Sequence, residues 1–313
     1  MKRALLIVFS VSVLFFAACG DDILLLPSDA PAEAPAGPLP LIPVEMEPVP
    51  GGVVTLGRNL GNVGGDVTPT SQVMLSSFYI GRYPVTQEQF NQIMGRNPSW
   101  FTGARRPRLS GETNVLQRPV EQVNWYEAIV FSNRLSIREG LTLAYVIPDI
   151  PESENPAWWS ALRFEDIPRS GDEEWDAIEI VPGSNGYRLP TDAQWEFAAK
   201  GGTAGGNYSF SGGNHADAVA WHQGNSGSGT RQVGAPRSPN ALGIYNMSGN
   251  VSEWVWDWYT NAPDSERTRS IRGGSWDIPP HGVRSVSRGD QRPHASTSFV
   301  GFRVARPESV SRE

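Results

Sequence analysis

The chain has 313 residues, and its 26 Lys and Arg stand against 33 Asp and Glu for a net charge of −7. No basic block interrupts that acidic balance, which argues against nucleic acid or an anionic lipid face as a partner. One cysteine in the whole chain excludes internal disulfides and thiolate metal clusters, while 33 Gly and 26 Pro signal a loop-rich fold of short elements.

In chain order, Lys2 and Arg3 give a basic start, Ala4 to Phe16 is almost continuously apolar, and Ala17 and Ala18 precede Cys19. This order predicts a secretory signal peptide over residues 1–18. The apolar run is shorter than the about 20 residues a membrane span requires. Phe16-Ala17-Ala18-Cys19 resembles the lipobox of bacterial lipoproteins, with Phe16 where leucine is usual. The resemblance implies a multiply acylated Cys19, a durable membrane anchor, and a place in the bacterial cell envelope on its outer surface. If Cys19 carries lipid, the folded part has no thiol. Eight prolines between Pro27 and Pro50, mixed with Ala, Glu and Gly, favour extended polyproline II. Residues 19–48 therefore read as a tether, residues 49–308 as the globular part and 309–313 as a tail. The length of the globular part suits one large domain or two small ones.

Three helices are predicted by their caps. Thr86 with Gln89 forms a capping box ahead of Phe90, Ile93 and Met94, with Gly95 closing the turn. Asn124 with Glu127 opens a second helix that carries Ala128, Phe131 and Leu135 toward Gly140; Thr191 with Gln194 opens a third, through Trp195, Ala198 and Ala199 to Gly201. Strands are predicted at Val53–Leu56, Phe78–Arg82, Ser270–Arg272 and Gly301–Ala305, and over Val251–Tyr259, where Trp254, Trp256 and Trp258 recur at period two and would share a face. Few helices among many short strands argue for an irregular α+β fold. Residues 141–185 form a long acidic stretch with Trp158, Trp159 and Trp175. They read as an insertion packed on the core rather than a flap, because tryptophans pin long loops down. The glycine-rich stretch from Gly201 to Gly229 has no phosphate-loop spacing and is not assigned to nucleotides.

The ordered motifs carry a family resemblance. Phe78–Arg82 with Pro84-Val85-Thr86, Pro119-Val120 with Val123-Asn124-Trp125, and Gly186-Tyr187-Arg188-Leu189-Pro190-Thr191 with Trp195-Glu196 come first. Gly243 to Val251 with Glu253-Trp254, then Arg272-Gly273-Gly274-Ser275-Trp276, and finally Gly301-Phe302-Arg303 complete the series. Together they resemble the sulfatase-modifying-factor domain of formylglycine-generating enzymes, from about Gly51 to Arg306. The resemblance implies a single elaborated C-type-lectin-like α+β fold. It also implies an activity, oxidation of a sulfatase cysteine, that needs two copper-binding cysteines after the Gly-Gly-Ser motif. Here that segment runs from Trp276 to Arg284 without a cysteine, and a soft copper ion wants thiolates. The related iron-dependent sulfoxide synthases use clustered histidines, whereas His215, His222, His281 and His294 lack helical ligand spacing. No catalytic residue is assigned, no nucleophile elbow is present, and no cofactor is required.

Two further expectations follow from the resemblance. The family's Asn-x-x-Gly-Asn-Val-x-Glu loop wraps a structural calcium ion. Here its ligands would be the Asn246 and Glu253 side chains and the Gly249 and Val251 carbonyls, oxygen donors suited to a hard cation. Against that, Glu196 and Glu253 also read as structural carboxylates bonded to backbone. Secondly, cysteine-free members of this fold include variable proteins of diversity-generating retroelements, among them treponemal lipoproteins with a similar tether. In that reading Arg272, Gly273, Gly274, Ser275, Trp276, Arg284, Ser285, Arg288, Pro293 and Gly301–Arg303 form a scaffold. Between them, Asp277, Ile278, Pro279, His281, Gly282, Gly289, Asp290, His294, Ser296, Thr297 and Ser298 are candidate variable, ligand-binding positions. Each is a residue type reachable from an Asn codon by changing adenines. The expected function is a surface-displayed receptor for a protein or glycan ligand. The alternatives are an envelope or secretion-system accessory lipoprotein with a fixed partner and, more remotely, an enzyme of other chemistry.

Overall fold

The computed structural model describes residues 42–57, 71–105, 108–109, 112–234, 237–260 and 267–308. The stretches expected to be a signal peptide, the tether up to residue 41 with Cys19, and the tail 309–313 lie outside them. Four strands open the described chain: β1 (Met46–Val49), β2 (Gly52–Leu56), β3 (Ser71–Leu75) and β4 (Phe78–Gly81). β1 pairs antiparallel with β4, Val49 opposite Phe78. Met46, Glu47 and Pro48, inside the stretch assigned to the tether, pair in this sheet with Gly81, Ile80 and Tyr79.

The helices form where their caps predict. In α1 (Gln87–Met94) the Gln89 N–H donates to Thr86 Oγ1 at 3.2 Å, the Thr86 N–H donates to Gln89 Oε1 at 3.0 Å, and Gly95 ends the helix. α2 (Trp125–Arg138) starts on the reciprocal Asn124–Glu127 box and buries most of its length. Within the insertion come β5 (Tyr145–Val146), α3 (Pro156–Ala161), α4 (Glu173–Asp176) and β6 (Glu179–Ile180), with β5 and β6 paired antiparallel. α5 (Asp192–Ala199) and α6 (Ala216–Val219) follow.

The C-terminal half supplies β7 (Ser252–Trp258), β8 (Arg269–Arg272), β9 (Arg288–Gln291), β10 (Val300–Phe302) and β11 (Ala305–Pro307). They build a sheet in the order β10-β7-β8-β9 and extend the first sheet to β1-β4-β11. The strand predicted over Gly301–Ala305 is therefore two strands in two sheets. The break falls at Arg303 and Val304, where the buried Arg303 side chain turns to Glu253 and the Gly81 N–H donates to the Val304 carbonyl at 2.8 Å. The tryptophan row on β7 is likewise interrupted, since the β7–β8 ladder shifts between Trp254 and Trp258.

Two indoles tie α2 to β7 reciprocally: Trp125 Nε1 donates to the Val255 carbonyl and Trp254 Nε1 to the Val123 carbonyl, both at 3.0 Å. Arg269 lies buried against the faces of Trp125 and Trp258, and burial pushes its guanidinium down to about 9. The insertion packs into the same core, as its tryptophans predict. Trp159 is fully buried, its Nε1 donating to the Ser153 carbonyl at 2.6 Å, with Trp158 and Trp175 edge-on to it at 5.0 and 6.3 Å. Trp159→Ala is expected to cost about 3–5 kcal/mol, the usual toll of emptying a buried aromatic site, measured by urea unfolding. A loss below about 1 kcal/mol would instead mark the insertion as a detachable flap.

Candidate binding face in the C-terminal segment

The segment begins where β8 delivers Arg272 into the core. Arg272 contacts the Glu196 carboxylate and sits 2.7 Å from Asp192, which also holds Arg288 at 3.1 Å. Gly273 and Gly274 then take positive φ angles of 86° and 65°. At Gly274 a Cβ would meet the Gly282 carbonyl oxygen at 2.7 Å and Val283 at 2.8 Å, so both backbone angle and space require glycine. Ser275 Oγ donates to Asp277 Oδ1 at 2.6 Å. Trp276 crosses beneath the chain: its Nε1 donates to the Ser298 carbonyl at 3.0 Å and its ring meets Phe101 edge-on at 5.2 Å. A 3₁₀ turn, Pro280–Val283, leads through buried Val283 and Val286 into β9, where Gly289 stands opposite Ile271 and Asp290 opposite Ser270. The return is held by backbone bonds, Trp125 N–H to the Pro293 carbonyl (2.8 Å) and Gln122 N–H to the Thr297 carbonyl (2.9 Å). Arg303 closes the segment in a two-pronged pair with Glu253, at 2.6 and 2.7 Å.

Burial divides the segment. Of the scaffold positions, Arg272, Gly273, Ser275, Ser285, Pro293, Gly301, Phe302 and Arg303 are buried, while Gly274, Trp276, Arg284 and Arg288 are half-buried. None of the eleven candidate variable positions is buried, and His281 and Asp290 are exposed. A concavity of about 220 Å³ collects Ile278, His281, Gly282 and Gly289 against Phe299 and Ser287. Asp277, Pro279, Asp290, His294, Ser296, Thr297 and Ser298 lie outside its lining. A Cβ at Gly282 would meet Ile278 Cγ2 at 2.4 Å, so the residue at 282 is coupled to the rotamer at 278. His294 Nδ1 and Thr297 Oγ1 are shielded from solvent and find no hydrogen-bond partner among the described residues.

Sequence reasoning missed the support under this face. Ser287 and Phe299 line the concavity between candidate positions, yet nothing in their types marks them. Glu121 is fully buried and accepts the Phe101 N–H at 2.8 Å, beneath the ring that braces Trp276. Burial raises its carboxyl from 4.5 to about 7, against the lowering pull of the Phe101 and Trp100 N–H groups. A carboxyl raised on folding binds its proton more tightly in the native state. Its stabilising contribution is present below about pH 4.5 and lost as pH rises through 7. Glu121→Gln keeps the acceptor for Phe101 and is expected to flatten the fall in stability between pH 5 and pH 8, read by urea melts. An unchanged slope would assign that fall to other groups.

Both side chains expected to ligate calcium, those of Glu253 and Asn246, accept hydrogen bonds from the protein in this structure. Both Glu253 oxygens accept from Arg303, and Oε2 also accepts from Trp195 Nε1 at 2.6 Å. The guanidinium thus neutralises the set's one carboxylate. Asn246 Oδ1 accepts the Gly234 N–H at 3.0 Å, and the Gly249 N–H donates to the Gly273 carbonyl at 2.9 Å. No cluster of three His, Cys, Asp or Glu suited to a metal occurs among the described residues. Glu196 does meet backbone, accepting the Gly57 N–H at 2.5 Å, besides its contact with Arg272.

The family model of the sulfatase-modifying factor enzyme 1-like domain matches residues 40–308. The chain belongs to that family. Among solved structures, it is similar to variable protein 1 of Treponema denticola, with 37% identity and a TM-score of 0.74 over 84% of this chain and 95% of that one. The chaperone protein LppX of Paenibacillus barcinonensis is 40% identical over 222 residues, 65% of this chain and 71% of the relative. The formylglycine-generating enzyme of Bos taurus is 27% identical over 315 residues, 89% of this chain and 78% of that enzyme. The matched region of this sulfatase-modifying-factor domain contains no cysteine, since the chain's single one is Cys19.

Proposed function

We propose that this protein is a non-catalytic, lipid-anchored binding protein of the bacterial surface whose segment 272–306 forms a diversifiable face for a protein or glycan ligand. The observation that carries the reading is the partition of that segment. Buried arginines, glycines and backbone bonds hold its frame, while every candidate variable position keeps access to solvent. Likeness to the Treponema denticola variable protein across most of both chains supports it. So does the missing thiol chemistry, because a domain without cysteine has no thiolate for the copper that the family resemblance implies for formylglycine formation.

A second reading is favoured by one finding, the 40% identity to a protein named as a chaperone. In it the same fold, on the same lipid anchor, serves one exported partner through a face that does not vary. The DNA beside the gene separates the two. A reverse transcriptase gene with a near-copy of the last coding segment, differing at adenines, belongs to the diversifiable face.

Simultaneous substitution of Asp277, His281, Asp290, His294 and Thr297, two exposed and three half-buried sites, is expected to leave the thermal melt nearly unchanged, at about 0.5 kcal/mol or less per site. The same change should abolish or redirect binding on a panel of surface proteins and glycans. Gly274→Val, by contrast, should damage folding itself. Unfolding of the five-site variant would make the segment core rather than a display surface.

Cys19→Ser is expected to block lipidation and leave either a product with its leader uncleaved or one that leaves the detergent phase on phase partitioning. A Cys19→Ser protein that still partitions with detergent and loses the same leader would refute the anchor.

A further inference from the structure

A second surface lies on the insertion, at β5 and β6. Residues 141–185 hold ten carboxylates against two arginines, a net charge of −8; the whole chain carries −7, so the remaining residues together come to +1. Within this acidic region a groove of about 440 Å³ runs beside β6. Val146, Pro156, Ile180 and Val181 give it apolar walls, and Glu154 and Glu179 stand exposed on its rim.

The groove lies along an unpaired strand edge. The Val181 N–H donates to the Ala144 carbonyl at 2.9 Å, which makes 144 and 181 a hydrogen-bonded antiparallel pair. Antiparallel bonding alternates, so at the next pair, Tyr145 and Ile180, the backbone groups of both residues point away from each other. On the inner side Asn133 takes those of Tyr145: its Nδ2 donates to the Tyr145 carbonyl (2.9 Å) and its Oδ1 accepts the Tyr145 N–H (3.1 Å). On the outer side the N–H and carbonyl of Ile180 face outward, and no described strand lies beyond β6.

We propose that this edge receives an extended, basic segment of a partner polypeptide by strand addition. The backbone of such a segment pairs with Ile180, an aliphatic side chain enters the groove, and a Lys or Arg meets Glu154 and Glu179. Strand addition takes affinity from main-chain bonds and selectivity from the pockets for alternate side chains. Charge decides the class of occupant, because an acidic rim steers cations and repels anions. The chain's own residues 19–41 carry four carboxylates and no basic side chain, so like charge turns them away. This contact does not depend on the C-terminal face and adds a fixed partner to whatever ligand that face takes.

The test uses the full-length mature protein and synthetic peptides of about nine residues alternating lysine and valine, with binding followed by fluorescence anisotropy. The lysine-valine peptide should bind saturably, weaken as sodium chloride is raised, and lose at least about tenfold in affinity to the Glu154→Gln/Glu179→Gln protein. A glutamate-valine peptide should not bind. A lysine-valine peptide N-methylated on alternate amides, which cannot pair with a strand edge, should lose binding to the unaltered protein. The five-site variant of the C-terminal face should bind the lysine-valine peptide as the parent does. Equal binding of the glutamate-valine or N-methylated peptide, an unchanged affinity in the double Gln protein, or no saturable binding would overturn the proposal.

Discussion

Two buried arginines bracket the C-terminal segment, and the rest of its behaviour depends on them. Arg272 enters it on the carboxylates of Glu196 and Asp192, and Arg303 leaves it on Glu253. Arg272, Arg303, Glu196 and Glu253 are all at most 1% exposed. Trp195 joins the two pairs, its Nε1 donating to Glu253 while its ring lies under the Arg272 guanidinium. Breaking a buried pair by removing one partner leaves an uncompensated charge and costs about 3–5 kcal/mol. The two ends of a segment of some thirty residues are therefore held fast on α5 and β7.

With its ends held there, the chain between needs little from its outward side chains. Trp276 and the carbonyls of Pro293 and Thr297 keep its course through bonds that do not involve candidate variable side chains. Backbone acceptors are indifferent to the side chain that carries them, which is how a surface can change while its frame stays. The Gly282–Ile278 contact marks where that independence stops, since a side chain at 282 moves its neighbour. The same Glu253–Arg303 pair engages the one carboxylate of the expected calcium set, holding Glu253 in an internal ion pair.

Charge separates the molecule's two surfaces. The insertion carries the net negative charge, and the remainder is close to neutral. The segment 272–306 carries six arginines against two aspartates, whereas the concentrated acidic rim of the insertion selects for cations. The tryptophans that fasten the insertion to the core make that rim part of the rigid body, with Trp159 and Trp175 buried in it.

Much of this was legible from residue order alone. Capping boxes at Thr86, Asn124 and Thr191 are local, three residues wide, and marked the helix starts directly. The motif series carried the family and hence the fold, and the absence of cysteine from residues 40–308 removes thiolate ligands from the matched domain. The strand break at Arg303 was not legible, because a glycine-aromatic-arginine run has the pattern of one strand and its partner Glu253 lies 50 residues away. Nor was the elevated Glu121 carboxyl, whose pKa is set by burial beneath Phe101. Nor was the fate of Glu253, since a carboxylate in a loop motif serves a cation or a guanidinium equally well. Residue order settled local geometry and chemical inventory; only the tertiary structure decided which charges meet, because desolvation and pairing arise between groups brought together by folding.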